Sequence, residues 1–197
     1  MSFRLGLTGS IGMGKSTTAR MFAEEGCAVW DADAAVHRLY SRGGAAVAPM
    51  RAAFSRAIEA GAVSRPRLKQ LISEDPQALP RIEKIVHPMV AQDRAEFAKS
   101  ATADILVFDI PLLFETGGDA QMDAVACVTV APEIQRARVL ERGTMTEAQF
   151  EAILTKQMPI AEKTNRADYV VETDTLEHAR RQVQTIVADI RGKIGDA

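Results

Sequence analysis

The sequence predicts an α/β protein with three layers, built around one parallel five-stranded sheet. Five short apolar runs have the length and composition of buried strands, near residues 3–7, 27–30, 104–109, 123–130 and 167–172. Helical patterns separate these runs, and strands that alternate with helices are typical of parallel sheets. A chain of 197 residues suits one core domain that carries insertions.

The first strand leads into the most specific motif of the chain, Gly9-Ser10-Ile11-Gly12-Met13-Gly14-Lys15-Ser16, which fits G-x-x-x-x-G-K-[ST]. Glycines at these positions let successive backbone N–H groups turn toward phosphate oxygens. The next helix, expected from Ser16 to Glu25 with Gly26 as its cap, adds a positive N-terminus. A plain glycine-rich turn would not require Lys followed by Ser here. The motif therefore predicts a nucleoside triphosphate site.

Two acids, Asp31 and Asp33, follow the second strand. In open parallel sheets ligands bind at the carboxyl ends of the strands, so a carboxylate here is well placed for chemistry. A helix is expected over residues 34–40, and one acid can cap it. We expect one acid to cap and one to act on a substrate, and the pattern leaves open which does which.

Residues 34–102 carry helical patterns only. This segment is too long for a simple crossover between two parallel strands, and we expect it to form a small substrate-binding lobe. The expected helices cover residues 45–60, a segment capped by Ser64, a segment from Pro76 to a break at His87-Pro88, and residues 89–100. Arg65 and Arg67 at a helix start suggest an anionic partner, with solvated arginines as the equal alternative. His87 can bind substrate or cap a helix end.

The third strand ends in Asp109, the position at which phosphate-loop enzymes place a carboxylate that holds Mg²⁺ directly or through water. Capping of the following turn is the alternative for Asp109. Farther along, a helix from Pro132 carries Arg138 and Arg142, which share one face. Gly143 breaks this helix, and Thr146 is expected to cap a second one ending near Gln157, as in a lid that closes over phosphates. A solvated helix face is the alternative. A final amphipathic helix is expected over residues 176–190, with a frayed tail after Gly192.

Composition limits the remaining choices. A net charge of −2 gives no general attraction to nucleic acid or membranes, and no apolar run approaches the ~18–20 residues that span a bilayer. No signal peptide is evident, so we expect a cytoplasmic protein. Cys27 and Cys127 are expected to be reduced core thiols, and the histidine spacing does not suggest a metal site. We expect a monomer, with self-association left open.

Several motifs together carry a family resemblance. They are G-S-I-G-M-G-K-S-T at 9–17, D-A-D at 31–33, S-R-P-R-L at 64–68, H-P at 87–88, P-L-L-F-E at 111–115, the arginine segment ending at Thr146, and A-D-Y-V-V at 167–171. In this order, over essentially the whole chain, they resemble the dephospho-coenzyme A kinase family. The resemblance implies a P-loop kinase fold, with ATP as co-substrate and Mg²⁺ as cofactor. It also implies transfer of the ATP γ-phosphoryl group to the ribose 3′-hydroxyl of dephospho-CoA, the last step of CoA biosynthesis.

The resemblance also implies roles for individual residues. Those expected to bind ATP are Gly12, Met13, Gly14, Lys15, Ser16, Thr17 and Arg138. Those expected to bind the acceptor substrate are Thr8, Asp33, Arg65, His87, Pro111 and Leu112. The catalytic residues would be Lys15, Asp33 as the base, and Arg142, with Ser16 as a ligand of Mg²⁺ and Asp109 as a second candidate ligand.

The same resemblance divides the chain into a core of residues 1–33 and 103–197, a lid at about 138–166, and a CoA-binding lobe of residues 34–102. One departure concerns Glu172-Thr173-Asp174, which stands where the family usually has an Asn-x-Gly turn near the adenine. The preference for ATP over GTP is therefore left open.

Two alternatives remain at this point. One is another P-loop kinase that acts on a small molecule or nucleotide. The other is a nucleotide-hydrolysing switch, which is disfavoured because Asn165-Arg166-Ala167-Asp168 has Arg where a GTPase N-K-x-D element needs Lys.

Overall fold

The computed structural model describes residues 2–195. Within them the strands are β1 (Phe3–Gly9), β2 (Ala28–Asp31), β3 (Ile58–Glu59), β4 (Ala62–Val63), β5 (Ile105–Asp109), β6 (Ala124–Thr129) and β7 (Tyr169–Glu172). The α-helices are α1 (Lys15–Glu24), α2 (Ala32–Tyr40), α3 (Val47–Ala53), α4 (Arg65–Glu74), α5 (Ala78–Ser100), α6 (Pro132–Glu141), α7 (Glu147–Leu154), α8 (Ile160–Arg166) and α9 (Leu176–Gly195). Short 3₁₀ turns cover Ser55–Ala57 and Gly118–Gln121.

The central sheet has five strands in the order β2-β5-β1-β6-β7. Strand β1 pairs in parallel with both β5 and β6, and β6 pairs in parallel with β7. All five residues of β5 are buried, as its continuous apolar sequence predicts for a strand covered on both faces. The predicted α/β class and five-stranded parallel sheet are therefore confirmed.

The core around this sheet is formed by strand residues such as Leu5, Val107 and Val128, packed with Phe22 of α1 and Val183 of α9. Helix α9 continues to Gly195, so the expected end near residue 190 and the frayed tail after Gly192 were wrong over the described part of the chain. The sheet and its helices belong to a compact unit of residues 1–30 and 101–197.

Residues 31–100 form a second compact unit with its own apolar core, which includes Met50, Leu68 and Ile82. The single helix expected over residues 45–60 was wrong. Helix α3 ends at Ala53, and β3 and β4 follow as an antiparallel hairpin. Ala60 and Gly61, with φ of 47° and 80°, form its two-residue turn, and φ is positive at both central positions as in a type I′ turn.

The helix break expected at His87-Pro88 was also wrong, because α5 continues through Pro88. Proline removes one hydrogen bond to the carbonyl four residues earlier, here that of Lys84. Lys84 is exposed, so water can solvate that carbonyl. Burial of Ile82 and Val86 on the opposite face of α5 favours a continuous helix.

Candidate active site

The loop between β1 and α1, residues 10–14, is called the phosphate loop below. Gly12 and Gly14 have φ of 76° and 88°, a region that favours glycine. A Cβ at Gly12 would lie 2.4 Å from Cγ2 of Val139, so α6 packs directly on the loop backbone. Gly14 precedes α1, so its loop ends at a helix N-terminus, where free N–H groups can bind an anion.

Lys15 of α1 forms an ion pair with Asp109, the last residue of β5. Both side chains are largely buried. Since β1 and β5 are neighbouring parallel strands, the residues that follow their carboxyl ends lie at one edge of the sheet. The structure thus brings together the motif lysine and the acid that sequence reasoning named as a candidate metal ligand.

A cavity of about 410 Å³ lies beside the phosphate loop. Gly14, Thr17, Arg138 and Arg142 line it, which brings together four of the residues predicted from the sequence for ATP binding or catalysis. Its remaining lining residues are Thr18, Met21, Glu141, Thr173, Thr175, Leu176 and Ala179. A cavity with two arginines and several apolar groups suits a ligand that has both an anionic part and an apolar part.

Of the two arginines that line the cavity, Arg138 is half-buried and Arg142 is exposed. Arg138 donates from Nη1 to the Thr173 hydroxyl at 3.0 Å and from Nη2 to the Thr173 carbonyl at 2.6 Å. Arg142 is the C-terminal cap residue of α6 and is exposed. A third arginine, Arg136, instead forms an ion pair with Glu147 of α7. Thr146 caps α7 in a capping box with Gln149, as predicted.

The segment after β5, residues 111–115, is called the proline loop below. The Thr8 hydroxyl donates to the Pro111 carbonyl at 3.0 Å, and Lys163 Nζ donates to the same carbonyl at 3.1 Å. Lys163 also pairs with Glu115 at 2.8 Å. Thr8 is fully buried, so its hydroxyl holds the proline loop and does not face solvent, whereas Leu112 of that loop is exposed.

Glu115 accepts a second hydrogen bond, from the Met158 amide at 2.9 Å. Burial of this carboxylate opposes its ionisation, but the bonds from Lys163 and Met158 outweigh that effect, so the pKa of Glu115 lies below its usual value. The Lys163 side chain is 0% exposed and that of Glu115 is 18% exposed. The proline loop is therefore held by an ion pair largely shielded from water.

Four predicted residues lie in the unit of residues 31–100. Asp31 accepts a hydrogen bond from the Ala34 amide at 2.9 Å and caps α2, so the alternative left open by the sequence is decided in its favour. Asp33 lies exposed in the first turn of α2. Arg65 begins α4 and His87 lies within α5, and both are exposed.

Sequence reasoning missed the residues that hold the two loops. Gln135 of α6 donates to the Ile11 carbonyl at 2.7 Å, and Gln157 accepts from the Ile11 amide at 3.3 Å. Thr173, which contacts the phosphate loop, and Lys163, which contacts the proline loop, were not predicted to hold them. One clue was available for Gln135, which lies four residues before the buried Val139 and so shares its helix face.

Both cysteines, Cys27 and Cys127, are buried free thiols, as predicted. Burial raises the pKa of each thiol to about 11, which leaves them protonated and unreactive at neutral pH. Across residues 2–195, no group of three or more His, Cys, Asp or Glu side chains is arranged to hold a metal ion. In the same part of the chain, no helix has the length and apolar content needed to cross a membrane.

The family model of dephospho-CoA kinase matches residues 3–178. The chain belongs to the dephospho-CoA kinase family. A dephospho-CoA kinase from Ruegeria pomeroyi is 75% identical over 191 residues, which cover 97% of each chain. The expected family and the expected enzyme class, a kinase, are therefore confirmed, and the alternatives of another kinase family or a nucleotide switch are set aside.

Solved structures agree with this fold. A protein from Thermus thermophilus superposes with a TM-score of 0.83 at 31% identity, over 95% of this chain and 97% of that one. A dephospho-CoA kinase from Campylobacter jejuni superposes with a TM-score of 0.70 at 21% identity, over 98% of this chain and 100% of that one. The P-loop kinase fold expected from the sequence is thus confirmed.

Proposed function

We propose that this chain transfers the γ-phosphoryl group of ATP to the ribose 3′-hydroxyl of dephospho-CoA, giving CoA and ADP. Membership of the family supports this last reaction of CoA biosynthesis. The structural observation that carries the ATP half is the cavity beside the phosphate loop, which Arg138 and Arg142 line.

On the ATP side, the proposal gives Gly12, Met13, Gly14, Ser16 and Thr17 the role of binding phosphates through the loop and the start of α1. Met13 is buried, its amide donates to the Ser10 carbonyl and its carbonyl accepts from Thr173, so its contribution is to hold the shape of the loop. In phosphoryl transfer, negative charge is spread over the oxygens of the transferred group, and fixed positive charges stabilise it. Lys15 would contact that group, with Arg142 and Arg138 facing the ATP phosphates.

The residues present also fit Mg²⁺. Ser16 is exposed in the first turn of α1, and the Asp109 carboxylate forms an ion pair with Lys15, the residue before Ser16. Mg²⁺ prefers oxygen ligands and often takes only one or two from the protein, with the others from water and phosphate. We assign Ser16 as its ligand and Asp109 as a residue that holds it directly or through water. When bound, Mg²⁺ neutralises phosphate charge.

On the acceptor side, Asp33 would orient the 3′-hydroxyl and take its proton. Asp31 is used to cap α2, which leaves Asp33 as the acid for this role. Arg65 and His87 would bind anionic and polar groups of dephospho-CoA, and Pro111 and Leu112 would line its site. Thr8 would act through the proline loop, because its hydroxyl holds the Pro111 carbonyl.

The proposal keeps a core of residues 1–33 and 103–197, a lid at about 138–166 that includes α7 and α8, and a CoA-binding lobe of residues 34–102. It further places the enzyme in the cytoplasm as a monomer, with no nucleic-acid or membrane partner. A net charge of −2 supports the absence of a general attraction to such anionic partners.

The direct test is to incubate the protein with ATP, Mg²⁺ and dephospho-CoA and to detect CoA by mass spectrometry. Lys15→Ala should lower kcat by about 10²–10³-fold, the typical effect of removing one stabilising group at the reacting centre. Lys99→Ala, at an exposed lysine of α5, is the matched control and should keep the wild-type rate. Steady ATP hydrolysis without CoA would overturn the proposal.

The role of Asp33 has its own test. Asp33→Asn should lower kcat by about 10²–10⁴-fold, because general-base catalysis contributes effects of this size, while ATP affinity stays unchanged. Asp31→Asn is the matched control, since asparagine caps helices as well as aspartate does. Wild-type turnover in Asp33→Asn would show that this carboxylate is not the base.

A further inference from the structure

Thr173, directly after β7, connects three parts of the ATP side of the enzyme. Two carbonyl oxygens lie within hydrogen-bond distance of its side-chain hydroxyl, that of Met13 in the phosphate loop at 2.8 Å and that of Thr129 at 3.3 Å. The hydroxyl has one proton, and the shorter distance assigns it to Met13, because the Thr129 carbonyl already accepts from the Thr173 amide. The same hydroxyl accepts from Arg138 at 3.0 Å, and the Thr173 carbonyl accepts from Arg138 at 2.6 Å. The Thr173 amide donates to the Thr129 carbonyl of β6 at 2.9 Å, which fixes its position against the sheet. Thr173 is only 7% exposed.

The bond to Met13 has a consequence for the phosphate loop. A peptide unit is planar, and its C=O and N–H groups point in opposite directions. A hydrogen bond that holds the Met13 carbonyl therefore also fixes the direction of the Gly14 N–H. The two residues are in direct contact, because a Cβ at Gly14 would lie 3.2 Å from the Thr173 hydroxyl oxygen.

The bonds to Arg138 have a second consequence. Two hydrogen bonds to neighbouring acceptors hold the planar guanidinium in one orientation. Both acceptors are uncharged, so the guanidinium keeps its positive charge beside the cavity. A carboxylate in place of this threonine would hold Arg138 too, but it would cancel that charge and repel phosphate.

We propose that Thr173 is a positioning residue for ATP. Its hydroxyl aims the Gly14 N–H of the phosphate loop and holds Arg138 at the cavity wall. This role needs one group that donates and accepts at once, which a hydroxyl provides. The inference rests on the proposed function, because the ligand it positions is the ATP of that reaction.

The test compares variants that differ in the hydroxyl and little else. Thr173→Val keeps the shape and removes the hydroxyl, and it should raise the Kd for ADP and the KM for ATP by about tenfold, the size of one or two lost hydrogen bonds. Thr173→Ser restores the hydroxyl and should return both constants to within about threefold of wild type. The KM for dephospho-CoA should stay unchanged in both. Thr185→Val, at an exposed threonine of α9, is the matched control.

Thermal unfolding accompanies each measurement, because Thr173→Val leaves a buried Met13 carbonyl without its donor. If that variant does not fold, Thr173→Cys takes its place, since a thiol is a weaker donor and acceptor than a hydroxyl. Its Kd for ADP and its KM for ATP should be higher than those of Thr173→Ser, but raised by less than the change of about tenfold expected for Thr173→Val. Wild-type ADP affinity in the folded Val or Cys variant would overturn the proposal. So would a Ser variant that is as impaired as Val, or an equal rise in KM for both substrates.

Calorimetric binding of ADP separates this inference from the proposed reaction. Weaker ADP binding by Thr173→Val would support the positioning role even if the wild-type protein made no CoA. Conversely, CoA formation together with unchanged ADP affinity in Thr173→Val would leave the reaction standing and reject the role of Thr173.

Discussion

The phosphate loop and the proline loop follow neighbouring parallel strands, yet they are held by different kinds of interaction. Neutral side chains hold the phosphate loop, through Gln135 and Gln157 on Ile11 and Thr173 on Met13. An ion pair between Lys163 and Glu115 holds the proline loop. The supports Gln135, Gln157, Lys163 and Thr173 all come from residues 135–173, far from β1 in the chain. Thr8 of β1 adds one hydrogen bond to the proline loop.

This difference matches what the proposed function requires of each loop. An unpaired carboxylate as the support of a loop whose amides bind triphosphate would repel the ligand at close range. A loop that lines an acceptor site can be supported by an ion pair, provided that both charges stay matched. Neutral support is weak for each bond, whereas a shielded ion pair is costly to break. Three measurements of unfolding free energy test this contrast.

The largest effect is expected for Glu115→Ala. It leaves the ammonium of Lys163, which is 0% exposed, without its counter-ion, and breaking such a pair costs about 3–5 kcal/mol of unfolding free energy. Adding Lys163→Met removes the stranded charge and should recover part of that loss. Urea unfolding of the two single variants and the double variant measures this. A double-variant loss equal to the sum of the single losses would show that the two charges do not interact.

The second effect is the contribution of the proline loop to the pH dependence of stability, which comes from Glu115. Glu115 has a pKa below its usual 4.5, so its ionised form stabilises the fold above that pH. This contribution is lost as pH falls through the pKa of the folded state. Unfolding free energy of the wild type should therefore decrease more below pH 4.5 than that of the Glu115→Ala, Lys163→Met double variant. Parallel pH profiles for the two proteins would contradict the assignment.

The smallest effect is expected at the phosphate loop. Gln135→Met keeps the side-chain length but removes one bond to Ile11, and it should cost about 1 kcal/mol of unfolding free energy at neutral and acid pH alike. Gln92→Met, at an exposed glutamine of α5, is the control and should cost less. If Gln135→Met were as destabilising as Glu115→Ala, the contrast between neutral and ionic support would fail.

The sheet was predictable because each of its strands is an apolar run recognisable by itself. The lobe was less so. The residues around the turn at Ala60-Gly61 have helical spacing, so the pattern predicted a helix there instead of a hairpin. The continuation of α5 through Pro88 depends on tertiary packing, which the local sequence does not show. Similarly, the motif from Gly9 to Ser16 predicts the phosphate loop, because phosphate binding requires particular residue types at closely spaced positions. Its supports, Gln135 and Thr173, are ordinary residues in sequence and gain their roles only when the chain is folded.

The strand order β2-β5-β1-β6-β7 also matters while the protein is being made. Strand β1 is the first to leave the ribosome, but its register pairs Phe3 with Ile105. At a synthesis rate of about 5–20 residues per second, β5, the first strand that pairs with β1, is made roughly 5–20 seconds after β1. The supports at 135–173 arrive later still, so a partly synthesised chain has the phosphate-binding motif without the scaffold that shapes it. We therefore expect the nascent chain to bind nucleotide only after residue 173 has left the ribosome.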